Sequence, residues 1–389
     1  MRTLRLTFRH LWFQRWRSLI LLLAISLTIT VPIGIHWLIA AFQRSMVARA
    51  VSTPFLVGAK GSPFDLMLND AYFSLRRIDT VPYGEFEGLE NDGFAAAIPL
   101  HIFFTAKKCP IVGTTPEYYE FRHLMPVTGT VPLQIGDATI GSAVARRLNL
   151  HVGDTLLSDP AGIYDIARTF PLNMHIVGVF RESSTADDQA VFVDLKTAWI
   201  IEGIGHGHQD IVNKVASEAV LERTASNVTV DDSVPPYTEI TDSNIESFHF
   251  HGDESQFPLM GIIVLPKDDK SATILRGRYH VSKDRQMIEP LAVVEEFLAV
   301  VFRVERFFDL VFVFVAAATM AFISLILLLS IQIRKREFAT LRKIGASRAT
   351  LVWLCIGDVV VLLIGASLIA IAISCVGVAF AEEWLKAVG

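Results

Sequence analysis

The sequence predicts an α-helical membrane protein with three transmembrane helices and a large α+β extracytoplasmic domain. Three observations predict it: three long apolar runs with a single charged residue among them, basic residues crowded on two of their short flanks, and ordinary globular composition from Thr53 to Val304. The apolar share is 52% and the mean hydropathy +0.43, modestly above the roughly 45–50% of soluble chains. That excess fits a soluble body with a few spans attached. A length of 389 residues suggests two units, at about 100–200 residues per domain.

The first run, Ser18 to Phe42, holds no Asp, Glu, Lys or Arg. About 20 apolar residues cross a bilayer core, whereas a signal peptide has a core of only about 7–15 and then a small-residue cleavage site. Gln43-Arg44-Ser45-Met46 is a poor site, so the run reads as a retained anchor, with Pro32 and Gly34 as candidate kink positions. The second run is Leu310 to Ile331. The third, Val352 to Phe380, is interrupted only by Asp358. A carboxylate facing lipid is costly, so Asp358 is expected to face other helices or to lie near an interface. His36, beside Trp37, reads as interfacial.

Orientation follows from the positive-inside bias. Arg2, Arg5, Arg9, Arg15 and Arg17 precede the first run without an acid. Arg334, Lys335, Arg336, Arg342, Lys343 and Arg348 stand between the second and third against Glu337 alone. The N-terminus and residues 332–350 are therefore expected on the cytoplasmic side. Residues 43–309 and the tail 381–389 are expected outside. In residues 1–17, Leu4, Leu6, Phe8, Leu11, Trp12 and Trp16 interleave with arginines, which suits a helix lying on the membrane surface.

A net charge of -5 and a pI near 6.1 argue against a nucleic-acid partner. Of three cysteines, Cys109 alone falls in the exported region, since Cys355 and Cys375 lie in the third run. An intramolecular disulfide there is excluded, and the domain must be held by its core. Strand-like runs are Ala95–Thr105, Ile111–Val112, Met174–Phe180, Ala190–Val193 and Met260–Leu265. Helical stretches are Ser142–Leu148, Lys196–Ile201 and Asp269–Arg276. Turn signals separate them, as in an α+β domain, with room for two lobes. Residues 213–257 are polar and read as a mobile excursion. Glu289 to Phe308 reads as a helix entering the second run, and Gln43 to Val51 as an outward extension of the first. Two stalks would then join membrane and domain.

Residues 332–350, QIRKREFATLRKIGASRAT, place Ile333, Phe338, Leu341 and Ile344 near helical spacing, with basic residues opposite. Gly345 is a helix stop and Ser347 a cap for the next helix. The segment around Arg334, Arg336, Glu337, Leu341, Arg342, Ile344, Gly345, Ala346, Ser347 and Arg348 resembles the coupling helix of FtsX/MacB-type ABC transporter permeases. VGAKGSP (57–63), IVGTTPEYY (111–119), IGSAVARRLNLHVGDTL (140–156) and IVGVFRESSTADDQAVFVDL (176–195) resemble that family's MacB-like periplasmic core domain. The resemblance covers nearly the whole chain. It implies an ABC ATPase subunit bound in trans, ATP and magnesium held by that partner, and a second permease copy in a homo- or heterodimer. It also implies contact with membrane lipids and a role for a periplasmic partner. Asp358 sits where members of the family commonly carry a glutamate. The family's fourth span has no counterpart in these 389 residues.

Catalytic signatures are missing from the sequence. A phosphate-binding loop needs G-x-x-x-x-G-K-[ST], and GAKGSP (58–63) lacks that spacing. H-E-x-x-H and G-x-S-x-G do not occur, so hydrolysis is expected in a partner and no cofactor is expected on this chain. GIGHGH (203–208) reads as a loop. His206 with His208, and His249 with His251, form two i, i+2 pairs. Each pair shares a face if extended and could offer two imidazoles to a zinc-like ion. The reading is a permease that transmits ATP-driven motion to its external domain for export or for lipoprotein and envelope-related release. The alternatives are a small-molecule or peptide exporter through the dimer interface and a membrane-tethered sensor without an ATPase.

Overall fold

A computed structural model describes residues 9, 12, 13, 15–160, 171–207, 220–223, 228–230, 238–333, 340, 343, 345 and 348–388. In chain order the elements are α1 (Arg15–Val51), β1 (Phe55–Ala59), α2 (Pro63–Tyr72), β2 (Val81–Pro82), α3 (Tyr83–Asn91), β3 (Ala95–Leu100), β4 (Thr105–Ala106) and β5 (Cys109–Thr114). There follow α4 (Glu117–Phe121), β6 (Pro126–Gly129), β7 (Asp137–Ile140), α5 (Ser142–Leu148), β8 (Thr155–Leu157), β9 (Asn173–Phe180), β10 (Val191–Asp194) and α6 (Leu195–Glu202). The remainder are β11 (Gly205–Gly207), β12 (Val220–Arg223), β13 (Val228–Val230), β14 (Phe248–Phe250), β15 (Pro258–Leu259), β16 (Gly261–Pro266), α7 (Asp269–Val281), β17 (Arg285–Ile288), α8 (Pro290–Ile333) and α9 (Arg348–Val388). The chain divides into a helical unit, Met1–Arg44 with Phe297–Val388, and a core unit over Ser45–Glu296.

The core unit is α+β, built on two larger sheets, with three two-stranded pairs (β11–β14, β12–β13 and β2–β15) beside them among the described residues. One has the order β17-β1-β16-β3, all antiparallel neighbours. Its apolar face gathers Val57, Val81, Leu89, Ile262, Val264 and Leu275 around Trp199. The Trp199 indole N–H donates to the Pro258 carbonyl at 2.9 Å, which removes the cost of burying that donor. The second sheet runs β4-β5-β10-β7-β9-β6, with β8 on β9. Pairs β5–β10 and β7–β9 are parallel. Central β10 is Val-Phe-Val-Asp with its apolar residues buried, as expected of a strand covered on both faces. In β9 every second residue is buried, the period-2 pattern of a strand with one face on the core. Of its buried residues, Met174 and Ile176 pack with Ile111, Ile140, Val191 and their neighbours, and Phe180 lies against Tyr119 and Phe192.

Local chemistry explains the helix ends. The Ser62 hydroxyl caps α2 by accepting from Asp65 N–H, with Pro63 at the first helical position. Asp194 and Asp268 cap α6 and α7 in the same way. Gly203 closes α6 in the left-handed region, φ 87°.

Among the described residues, the stretches Ser18–Val51, Pro290–Ile326 and Ile356–Gly377 are long and apolar enough to cross a membrane. Only 17%, 0% and 22% of their most apolar windows are buried by protein, so most of this apolar surface is not covered by the chain itself. The helices meet through small residues and side-chain hydroxyls, as membrane helices do. Ser26 Oγ donates to Leu22 O at 2.7 Å and reaches Ala366 O at 3.4 Å. Thr28 and Thr319 share a 3.2 Å hydrogen bond. Leu21, Ile25, Ile323, Leu362 and Ala366 form the small core between them. α1 already includes Arg15 to Arg17; most of the expected surface helix before it lies outside the described residues.

The structure corrects two expectations. The loop expected over 203–208 contains strand β11, because Gly205–Gly207 pairs antiparallel with Phe248–Phe250. Within the excursion expected over 213–257, β12 pairs with β13, Ile240 is buried in the larger core, and Phe248 and Phe250 pack on it. The physical reason is the same in both cases. Two phenylalanines alternating with histidine give β14 an apolar face, and the glycines of β11 leave room for those rings to approach it. Residues 208–219, 224–227 and 231–237 lie outside the described residues.

Candidate functional site

Three places carry unusual chemistry. The first is the foot of α1. Arg49 and Asp187 are buried, 6% and 3% exposed, and pair at 2.5 Å. The contact is bidentate, since Arg49 Nη2 also reaches Asp187 Oδ1 at 3.0 Å. Arg49 Nε donates to Ala71 O at 2.8 Å and Nη2 to Tyr118 Oη at 2.9 Å. Tyr118 O–H donates to Asp187 at 2.6 Å and Thr185 O–H at 2.7 Å. Arg122 stacks on Phe121 at 4.5 Å and donates to Ser52 Oγ at 2.8 Å and Thr53 Oγ1 at 2.6 Å. Burial alone pushes the Asp187 carboxyl up, but the Arg49 guanidinium and the hydroxyl donors outweigh it and hold the group below the ordinary aspartate value. Gly141 permits the approach: a Cβ there would strike the Asp187 and Asp188 carbonyls.

The second place is α2. Asp70 is fully buried, and neither carboxylate oxygen has a hydrogen-bond partner among the described residues. Its Oδ2 lies where a side chain at Gly261 would stand. With desolvation unopposed, its carboxyl is pushed well above the ordinary value, so it is held as the neutral acid.

The third is the β11–β14 ladder, which brings together histidines from two of the sequence pairs. His206 pairs in register with His249, and His251 follows two residues on, its N–H donating to Ile204 O at 3.2 Å. The ligand atoms of His206, His249 and His251 all lie within 4.8 Å of one another. His208 lies outside the described residues.

Of the segment 332–350, Arg334, Arg336, Glu337, Leu341, Arg342, Ile344, Ala346 and Ser347 lie outside the described residues. Gly345 is described and left-handed, φ +100°, a conformation that favours glycine at a helix end. Arg348 opens α9, and Asp358 is half-buried in it. His36 contacts Glu305 at 3.4 Å and Asp309 at 3.3 Å.

Sequence reasoning missed the foot of α1 and Asp70. Two signals were present: a lone arginine, Arg49, between alanines at the end of an apolar helix, and Thr185-Ala186-Asp187-Asp188, a capping-type cluster. The 138 positions separating Arg49 from Asp187 hide the pairing.

Residues 18–230 match the family described as MacB-like periplasmic core domain, and residues 310–387 match FtsX-like permease C-terminal. No curated protein matches the chain. Among solved structures, the periplasmic region of MacB from Actinobacillus actinomycetemcomitans is similar at 11% identity and TM-score 0.35, over 63% of this chain and 92% of that one. The extracellular domain of the noncanonic ABC-type transporter YknZ from Gram-positive bacteria gives 10% and 0.32, over 60% and 98%. A domain of a putative permease protein from Porphyromonas gingivalis gives 9% and 0.28, over 59% and 78%. The two domain matches together define an ABC transporter permease. The chain belongs to the FtsX/MacB-type permease family.

Proposed function

We propose that this chain is the membrane subunit of an ABC transporter that passes the work of a separate ATPase, bound in trans, to its external domain. The observation that carries the proposal is helix continuity. α1 has 37 residues and α8 has 44, hence lengths of about 55 and 66 Å at 1.5 Å per residue. The hydrocarbon core of a bilayer is only about 30 Å thick. Each helix therefore outreaches it by about 25 Å or more without a break, as a rod suited to carrying axial displacement. The basic segment 332–350 would take the push from the ATPase on the cytoplasmic side, and a second permease copy would complete the assembly. Few polar side chains line the three apolar helices, which favours transmission over a wide polar pathway. Export or envelope-related release by a periplasmic partner would be the output.

The test is co-purification and ATPase stimulation with the candidate ATPase subunit. Leu341→Asp combined with Gly345→Pro should abolish both, since proline cannot adopt the φ of +100° seen at Gly345. Full binding and stimulation by that variant would sink the assignment.

A further inference from the structure

The β11–β14 ladder separates its residues into two faces. Gly205 stands opposite Phe250 and Gly207 opposite Phe248. Cβ atoms at these glycines would come within 2.7 and 2.8 Å of the phenylalanine rings, so both rings lie across β11 on that face. Phe248 and Phe250 pack on the apolar cores beneath, Phe250 touching both of them. The other face of the same two strands carries His206 and His249 side by side, with His251 two residues further on the same side. Ring centroids are 5.3 Å apart for His206–His249 and 4.8 Å apart for both His206–His251 and His249–His251. Three imidazoles are thus gathered by strand register and anchored from behind by aromatic rings.

We propose that His206, His249 and His251 form a binding site for a zinc-class divalent cation. Three neutral imidazoles are a ligand set suited to zinc, copper or nickel and not to magnesium or calcium. Two nitrogens bound tetrahedrally to one zinc stand about 3.3 Å apart. The present separations, up to 4.8 Å, close to that by side-chain rotation, for which the exposure of His249 and His251 leaves room. His249 Nδ1 lies 3.1 Å from the Ser247 carbonyl. A proton on Nδ1 directed at that oxygen fixes the ring, the usual outer-sphere support of a histidine ligand. Three protein ligands leave the fourth position open, so the ion is exchangeable or available to a second donor. The site is independent of the ATPase-coupling role.

The experiment uses the full-length chain in detergent, stripped with chelator. Zinc chloride is titrated calorimetrically, with magnesium as control, and cobalt is added in a parallel optical titration. We expect one saturable zinc equivalent of micromolar or tighter affinity, no magnesium response, and the visible bands of tetrahedral cobalt. Each of H206A, H249A and H251A should weaken zinc at least about tenfold. The cobalt spectrum tests wild-type protein directly, so a misfolded variant does not decide the result. Absence of saturable zinc binding overturns the proposal. So does unchanged affinity in the triple variant, which would place the metal elsewhere, at Cys355, Cys375 or an acidic surface.

Discussion

Asp187 and Asp70 are both shut away from water in the same core unit, yet their chemistry runs in opposite directions. Asp187 receives two guanidinium contacts and two hydroxyl donors and stays ionised. Asp70 receives none and is held neutral. Burial therefore does not decide the state of a carboxyl; the donors aimed at it do. Asp187 belongs to a fastening that ties the end of α1 to the segment after β9. Asp70 is a polar group lodged between α2 and β16 with no such return.

The contrast is broken hardest at Arg49. Arg49→Met leaves a buried carboxylate unpaired and should cost about 3–5 kcal/mol in the full chain, read as a lowered unfolding midpoint in detergent. The double variant Arg49→Met with Asp187→Leu should recover much of that loss. A midpoint unmoved by Arg49→Met would show the pair to be structurally idle.

Acid sharpens the comparison. Asp187 is depressed, so its contribution is present above the unfolded value near 3.9 and is lost as pH falls through its lower folded value. Asp70 is raised, so stability is fullest below about 3.9 and declines as pH rises. Asp70→Asn should therefore stabilise by about 1–3 kcal/mol at pH 8, with the gain vanishing near pH 4. Thermal midpoints across that range check it; a gain independent of pH would mean that Asp70 is not titrating.

At the small end stands an acid left in water. Arg146 and Glu182 pair at 3.2 Å but are 62% and 47% exposed. Arg146→Ala should move the midpoint by less than about 1 kcal/mol, and a larger loss would mean that exposure is a poor guide here.

Where the local pattern decides the structure, the sequence is readable. The alternation through Met174, Ile176 and Phe180 marks β9, and Ser142 to Leu148 is helical as its spacing suggests. Much of the rest depends on distant partners. β1 is a five-residue run that only its pairing with β16 and β17 makes a strand. β11 has the composition of a loop, and its strand character comes from Phe248 and Phe250 lying across Gly207 and Gly205. Among the site residues, the histidine pairs were visible as pairs, but their union needs the β11–β14 register. Asp70 carries no local mark at all.

Strands β1 and β17 run antiparallel as immediate neighbours, Leu56 facing Ile288 and Val57 facing Met287. One directly follows α1 and the other directly precedes α8. The polypeptide thus enters and leaves the body between residues 55 and 288 at adjoining points, about 5 Å apart. Such a body is a cassette: it can be excised and its two ends joined by a tight turn, or spliced into any host hairpin, without stretching either cut.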